Sequence, residues 1–221
     1  MTPSRAEKRC SVSVKSFVVS RKSSAVGRYQ HKHTLPDVKR SVNIAITMKT
    51  PTDDKITYAI WTTALGAMAG VKNRQGLIKV ILPFYHPDDL KQILTFNYPD
   101  AADTPDEFAD LIRLSRDYFN GKEVSFLEIP CCLPDENTFT GKVLRKCRQI
   151  PYGQTRSYSQ LAEAINRPNA ARAVAAALGK NPLPLVIPCH RVIYANGNLG
   201  GFSSPGGEKL KRKMLSLEHA I

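Results

Sequence analysis

Residues 157–179 read SYSQLAEAINRPNAARAVAAALG, and this stretch decides the architecture of the second half of the chain. Ser157 followed three residues later by Gln160 is a capping box, in which each side chain satisfies a backbone N–H at the other's position. Leu161 to Ile165 continue that helix. Asn166-Arg167-Pro168-Asn169 is a turn, and its last residue is a good cap for a second helix over Ala170–Leu178 that Gly179 ends. Two short helices joined by a tight turn make a helix-turn-helix candidate.

Working outward, a helix is expected upstream over Asp135–Arg148, with Phe139, Val143, Leu144 and Cys147 on one face and basic residues on the other. Pro151-Tyr152-Gly153 breaks it. Downstream, Leu183–Ile193 is apolar and β-branched around two prolines, and Gly197–Gly207 is a Gly/Ser/Pro loop. A last helix over Glu208–His219 turns Leu210, Met214, Leu215 and Leu217 inward.

The first half reads differently. Lys55–Leu65 and Gln75–Phe84 are expected strands, with Gly70 and Asn73 between them. A short helix is expected at Leu90–Leu94. Thr104-Pro105-Asp106-Glu107 starts another with a cap, proline at the first position and acids in the first turn. Phe108, Leu111, Ile112, Ser115 and Phe119 follow at helical spacing until Asn120-Gly121, and Val124–Pro130 alternates as a strand. The expected fold class is therefore α+β. A small N-terminal α/β domain (mixed sheet plus helix, residues 48–132) precedes a mostly helical C-terminal domain (133–221) that contains the helix-turn-helix. Residues 1–47, basic and without a sustained period, read as a disordered tail; their composition also fits a transit peptide.

Composition narrows the function. The chain has 221 residues and a formal charge of +13. Eleven basic and two acidic groups lie in residues 1–50, eight and fourteen in 51–139, and thirteen and three in 140–221. An acidic middle between basic ends suggests that one folded half faces a polyanion. No stretch approaches the run of about 18 apolar residues that a spanning helix needs, so an integral membrane protein is excluded. Five cysteines without a framework spacing argue against a disulfide-stapled secreted scaffold and for an intracellular address, cytoplasmic or nuclear.

The segment Ile187-Pro188-Cys189-His190-Arg191-Val192 carries the chemistry. Burial raises a thiol pKa and makes the thiol inert, whereas a nearby imidazole can supply a base. In an extended strand Cys189 and His190 would point to opposite faces, so the chain must turn at Pro188-Cys189 or a water must bridge them.

Together with its flanks, this segment resembles the methylated-DNA–protein-cysteine methyltransferases, also called alkylguanine DNA alkyltransferases. Their hallmark Pro-Cys-His-Arg-Val stands intact at Pro188–Val192. Around it, in the family's order, lie Phe139-Thr140, Ile150-Pro151-Tyr152-Gly153-Gln154-Thr155, Ser157-Tyr158, Ala171-Arg172-Ala173-Val174, Asn181-Pro182 and Leu215 to Glu218, from about residue 133 to 219. The resemblance implies DNA repair by one irreversible transfer of a methyl or alkyl group from O-6 of guanine, and from O-4 of thymine, to Cys189.

By the same resemblance, His190 acts through a water as the base, Glu218 holds and polarises His190, and Asn181 ties the turn before the cysteine. Tyr158 and Arg172 match the base-flipping residues, which rotate the target base out of the duplex. Ala171, Thr140 and Ser203 match further DNA contacts. The alanine-rich helix of Arg172 suits close, sequence-independent approach to the minor groove. The loop after the site has Phe202 where several relatives have Tyr. The implied partner is double-stranded DNA with alkylated guanine, met by a monomer with no membrane partner. Cys10, His31, His33, Cys131 and Cys132 match no zinc spacing, so neither metal nor cofactor is expected. The alternatives are a non-enzymatic sensor of alkylated DNA, which would lack the cysteine, and a Cys–His hydrolase, which would turn over.

Overall fold

The computed structural model describes residues 55–221; the stretch 1–47, with Cys10, His31 and His33, lies outside it. The fold is α+β. Strands β1 (Thr57–Thr63), β2 (Gly66–Asn73) and β3 (Gly76–Ile81) pair antiparallel, and the short β4 (Ala102–Asp103) joins β1 in parallel, giving the order β3-β2-β1-β4. The sequence reading leaves the residues of β2 as a connection. They are Gly, Ala, Met, Ala, Gly, Val, Lys and Asn, with weak intrinsic strand preference. Tight packing makes them a strand: a Cβ at Gly70 would meet Phe108 and Leu111 at 3.2 Å. Gly76 closes the next hairpin at φ +136, where a Cβ would lie 2.6 Å from the Pro130 carbonyl.

Helix α1 (Pro87–Asn97) buries Leu90 and Leu94 against Tyr58, Ala69 and Val71 of the sheet. A 3₁₀ turn at Pro105–Phe108 leads into α2 (Ala109–Phe119), which covers the other face. Thr104 makes no side-chain cap, contrary to expectation. Its backbone N–H donates instead to the Tyr58 carbonyl (2.9 Å), so it serves the sheet. Trp61 on β1 donates its indole N–H to Ser115 on α2 at 2.8 Å.

The strand expected over Val124–Pro130 does not form. Arg148 Nη2 donates to the carbonyls of Phe126, Leu127 and Ile129 (3.1, 2.8 and 2.6 Å), which takes them out of any ladder. Only the adjoining Cys131 makes an isolated bridge, to Leu77. Helix α3 (Phe139–Arg148) starts later than the expected Asp135. Thr138 is its cap, accepting from the Gly141 N–H at 3.0 Å.

The two-residue strand β5 (Arg156–Ser157) runs into α4 (Tyr158–Ala164), and the capping box is present: Ser157 Oγ accepts from Gln160 N–H, and Gln160 Oε1 accepts from Ser157 N–H. Helix α5 (Ala171–Leu178) packs on α3 and α4. Ala170, rather than Asn169, is its capping residue, because the Ala170 N–H closes a turn onto Arg167 before the helix starts. Strand β6 (Val192–Ile193) pairs in parallel with β5, and α6 (Gly207–Leu217) stops short of Glu218. One buried cluster runs from Trp61, Met68 and Phe119 through Val143, Leu161 and Val174 to Met214, so the sheet and the helical half share a core. No helix among the described residues is long and apolar enough to cross a membrane.

Candidate active site

Cys189 begins a 3₁₀ turn, Cys189–Arg191, at the end of the apolar run 183–188. The chain turns at Pro188-Cys189, as the opposed faces of a strand require if both side chains are to serve one site. Asn181, immediately after α5, organises this turn. Its Oδ1 accepts from the Leu183 N–H (3.0 Å), while Nδ2 donates to the Ile187 carbonyl (2.9 Å) and to Cys189 Sγ (3.2 Å).

His190 is fully buried. Its Nε2 lies 2.7 Å from Glu218 Oε1, and Glu218 sits just beyond the last turn of α6. Arg191 grips the same carboxylate with two nitrogens, Nε to Oε2 at 2.8 Å and Nη2 to Oε1 at 3.1 Å, and its Nη1 donates to the Ile150 carbonyl. The Gly153 N–H adds a longer contact to Oε2. Tyr118 on α2 donates to Oε1 at 2.7 Å, and its oxygen stands 3.3 Å from His190 Nε2. Among the described residues, His190 Nδ1 has no hydrogen-bond partner.

The electrostatics follow from this geometry. Burial alone would raise the Glu218 carboxyl, but the His190 and Arg191 hydrogen bonds and charges outweigh it and hold it at about 2. Burial lowers the His190 imidazole from its ordinary value, against the pull of Glu218. It also pushes the Cys189 thiol up, opposed by the Asn181 hydrogen bond and the Lys211 charge. Both shifts favour the uncharged forms, a thiol at Cys189 and a neutral imidazole at His190 whose Nδ1 is unused.

Lys211 on α6 is fully buried and donates Nζ to the Val192 and Leu199 carbonyls. Burial lowers it to about 8, while the Cys189 charge works the other way. Its Nζ stands 5.9 Å from the centroid of the Tyr158 ring, which packs at a 57° tilt, 5.2 Å between centroids, against the half-exposed Tyr194. Burial raises the Tyr158 phenol to about 12, and the charge of the Cys189 thiolate adds to that rise.

The structure unites Cys189 with Asn181, and His190 with Glu218. It places Arg172, exposed, and Ala171, half-buried, on α5, with Thr140 half-buried in the first turn of α3 and Ser203 exposed in the loop before α6. None of these four hydrogen-bonds to the buried set. Sequence reasoning missed Tyr118, Arg191 and Lys211 as site residues. Helical spacing carried a signal for two of them: Lys211 falls on the inward face with Met214 and Leu215, and Tyr118 on that of Leu111 and Ser115. A charged or hydroxylated residue in such a place asks for a partner. A cleft of about 400 Å³ touches Arg191 and Pro188, but its lining, including Glu123, Phe126, Arg148 and Tyr152, does not include Cys189. Among the described residues, no group of three or more His, Cys, Asp or Glu is placed to hold a metal ion.

Comparison with known proteins adds the following. The family model described as 6-O-methylguanine DNA methyltransferase, DNA binding domain, matches residues 138–220. A methylated-DNA–protein-cysteine methyltransferase of Sulfolobus acidocaldarius is 36% identical over 163 residues, covering 74% of this chain and 93% of that protein. The crystal structure of the Mycobacterium tuberculosis O6-methylguanine methyltransferase superposes with a TM-score of 0.60 at 30% identity, over 75% of this chain and 93% of that one. The same organism's protein in complex with DNA gives 0.62 at 29% identity, over 74% and 93%.

Proposed function

Because the chain belongs to the methylated-DNA–protein-cysteine methyltransferases, we propose that Cys189 is the sulfur that takes the alkyl group from O-6 of guanine in duplex DNA. The protein repairs DNA by direct reversal, transferring the group to its own cysteine. The observation that carries the assignment is a sulfur held by Asn181 in the same turn as a buried His190 whose Nε2 meets Glu218 and whose Nδ1 has no partner among the described residues.

The steps follow from the hydrogen bonds. Glu218 Oε1 is an acceptor at Nε2, so Nε2 carries the imidazole hydrogen and Nδ1 is basic. The Cys189 proton passes to Nδ1 through a bridging water, leaving a thiolate and an imidazolium beside the Glu218 carboxylate. Lys211 and the Asn181 N–H stabilise the thiolate charge. The thiolate attacks the alkyl carbon, an S–C bond forms as the C–O bond breaks, and the purine takes the electron pair and, through water, the proton that His190 holds, which restores the neutral imidazole. The product thioether is a poor leaving group, so each molecule acts once.

On the DNA side, Tyr158 and Arg172 extrude the base, and the exposed guanidinium of Arg172 on α5 fills its place in the stack. The alanines around it let the helix approach the minor groove without reading sequence. The test is a duplex carrying O6-methylguanine with a labelled methyl group. The intact chain should take up one equivalent on the peptide containing Cys189. Cys189→Ala should take up none while binding DNA within about twofold, since the thiol is a small part of a large interface. Label released past one equivalent in a small product would instead show a hydrolase.

A further inference from the structure

Tyr118 belongs to α2, in the sheet-bearing half of the chain, yet its phenol is buried within the cluster around Glu218. It is 0% exposed and sits edge-on to Phe119, Phe126, Tyr152 and the His190 ring. Its hydroxyl has one hydrogen to give. The Met214 carbonyl lies at 3.5 Å and Glu218 Oε1 at 2.7 Å, so the hydrogen goes to the carboxylate. With that hydrogen committed, the phenol oxygen can only accept from His190 Nε2 at 3.3 Å. Both oxygens near Nε2 are then acceptors.

We propose that Tyr118 is a positioning residue for alkyl transfer: its phenol fixes the Glu218 oxygen that faces His190, and so holds the imidazole in the form with hydrogen on Nε2 and a free, basic Nδ1. This deepens the reading of Cys189 and His190 given above and rests on it. The N-terminal layer thereby completes the site chemically, although it carries none of the residues picked out by the family pattern.

The phenol is a dependable donor, because burial and the charge of Glu218 keep it from ionising. It is also a brake. Each donor on Oε1 weakens that oxygen as an acceptor for the imidazolium, and Oε1 already receives Arg191 Nη2. The titratable and charged groups facing the His190–Glu218 pair are Arg191 from the same turn, Lys211 from α6, Tyr152 from the segment after α3, and Tyr118. Removing the phenol hydroxyl leaves the other three in place. Glu218 then becomes the stronger acceptor, and His190 takes up a proton at higher pH.

The experiment compares the full chain with Tyr118→Phe in single-turnover transfer from O6-methylguanine duplex, across pH 5 to 9. Cys189→Ala serves as the blank. Failure of the unaltered chain to transfer would dispose of the functional reading itself, before Tyr118 is in question. Given transfer, the variant should bind duplex within twofold and move the acid limb of its rate profile up by about half a unit. Its rate at neutral pH should fall by up to about tenfold, less than the full contribution of a general base. An acid limb that stays where it was, or moves down, overturns the proposal even if the variant melts early. The second measurement needs no variant. Nitrogen-15 spectra of the labelled imidazole in the unaltered protein should show hydrogen on Nε2 at neutral pH, and hydrogen on Nδ1 would overturn the proposal.

Discussion

At Asn181 a single carboxamide makes three bonds, to the Leu183 N–H, the Ile187 carbonyl and Cys189 Sγ. The first two shape the turn and the third acts on the sulfur, so the residue has a structural and an electronic role at once. Asn181→Ala should therefore slow transfer by about tenfold or more, through a less acidic thiol, and also cost roughly 1–3 kcal/mol of stability from the orphaned Leu183 N–H and Ile187 carbonyl. Single-turnover rates and urea midpoints on the same sample measure the two effects. An intact rate with lowered stability would leave Asn181 a purely structural residue. Glu218 is in a similar position, because a charge change there would leave the Arg191 guanidinium buried without its counterion.

At the scale of elements, α5 divides cleanly. Val174, Ala177 and Leu178 are buried against the core, and Arg172, Ala173 and Ala176 face solvent. Arg172→Ala removes nothing that the fold uses, so its melting temperature should barely change. Transfer from duplex should slow by at least tenfold, and transfer from the free alkylated base should not, because only the duplex requires extrusion. Equal slowing on both substrates would remove Arg172 from the flipping step.

Helical periodicity made α4, α5 and α6 legible in the sequence, and capping chemistry the start of α4, since these depend on neighbours within a few residues. The misplaced features depend on partners far along the chain. β2 needs Phe108 and Leu111, the missing strand at Val124–Pro130 yields its carbonyls to Arg148, and Thr104 answers to Tyr58. The site divides along the same line. Cys189 and His190 are marked by their adjacency in an apolar run, Glu218 only by the family resemblance. Tyr118 meets Glu218 across 100 positions, and only folding reveals that distance of 2.7 Å.

At the scale of the whole molecule, the buried charge cluster couples the chemistry to stability. The Glu218 carboxyl is at about 2 in the fold against an ordinary 4.5. A carboxyl lowered in the folded state contributes stability that is complete above pH 4.5 and lost as pH falls toward 2. The shift is worth roughly 3 kcal/mol. Urea midpoints should accordingly drop between pH 4.5 and 2, and in Glu218→Gln that drop should shrink; an equal drop in both would place the acid sensitivity elsewhere. The sheet is joined to the site as well. The Val80 N–H on edge strand β3 donates to the carbonyl of Pro182, the residue after Asn181. An alkyl group on Sγ crowds the Asn181 amide that donates to it, and a shift of Asn181, which also holds the Leu183 N–H, is expected to pull on Pro182 between them. Deuterium should then enter the Val80 amide faster in spent protein than in fresh protein, while the inner ladder between β1 and β2 exchanges at its former pace. A strand that takes no part in the reaction would thus keep a legible record, in one proton, of whether its molecule has already met damage.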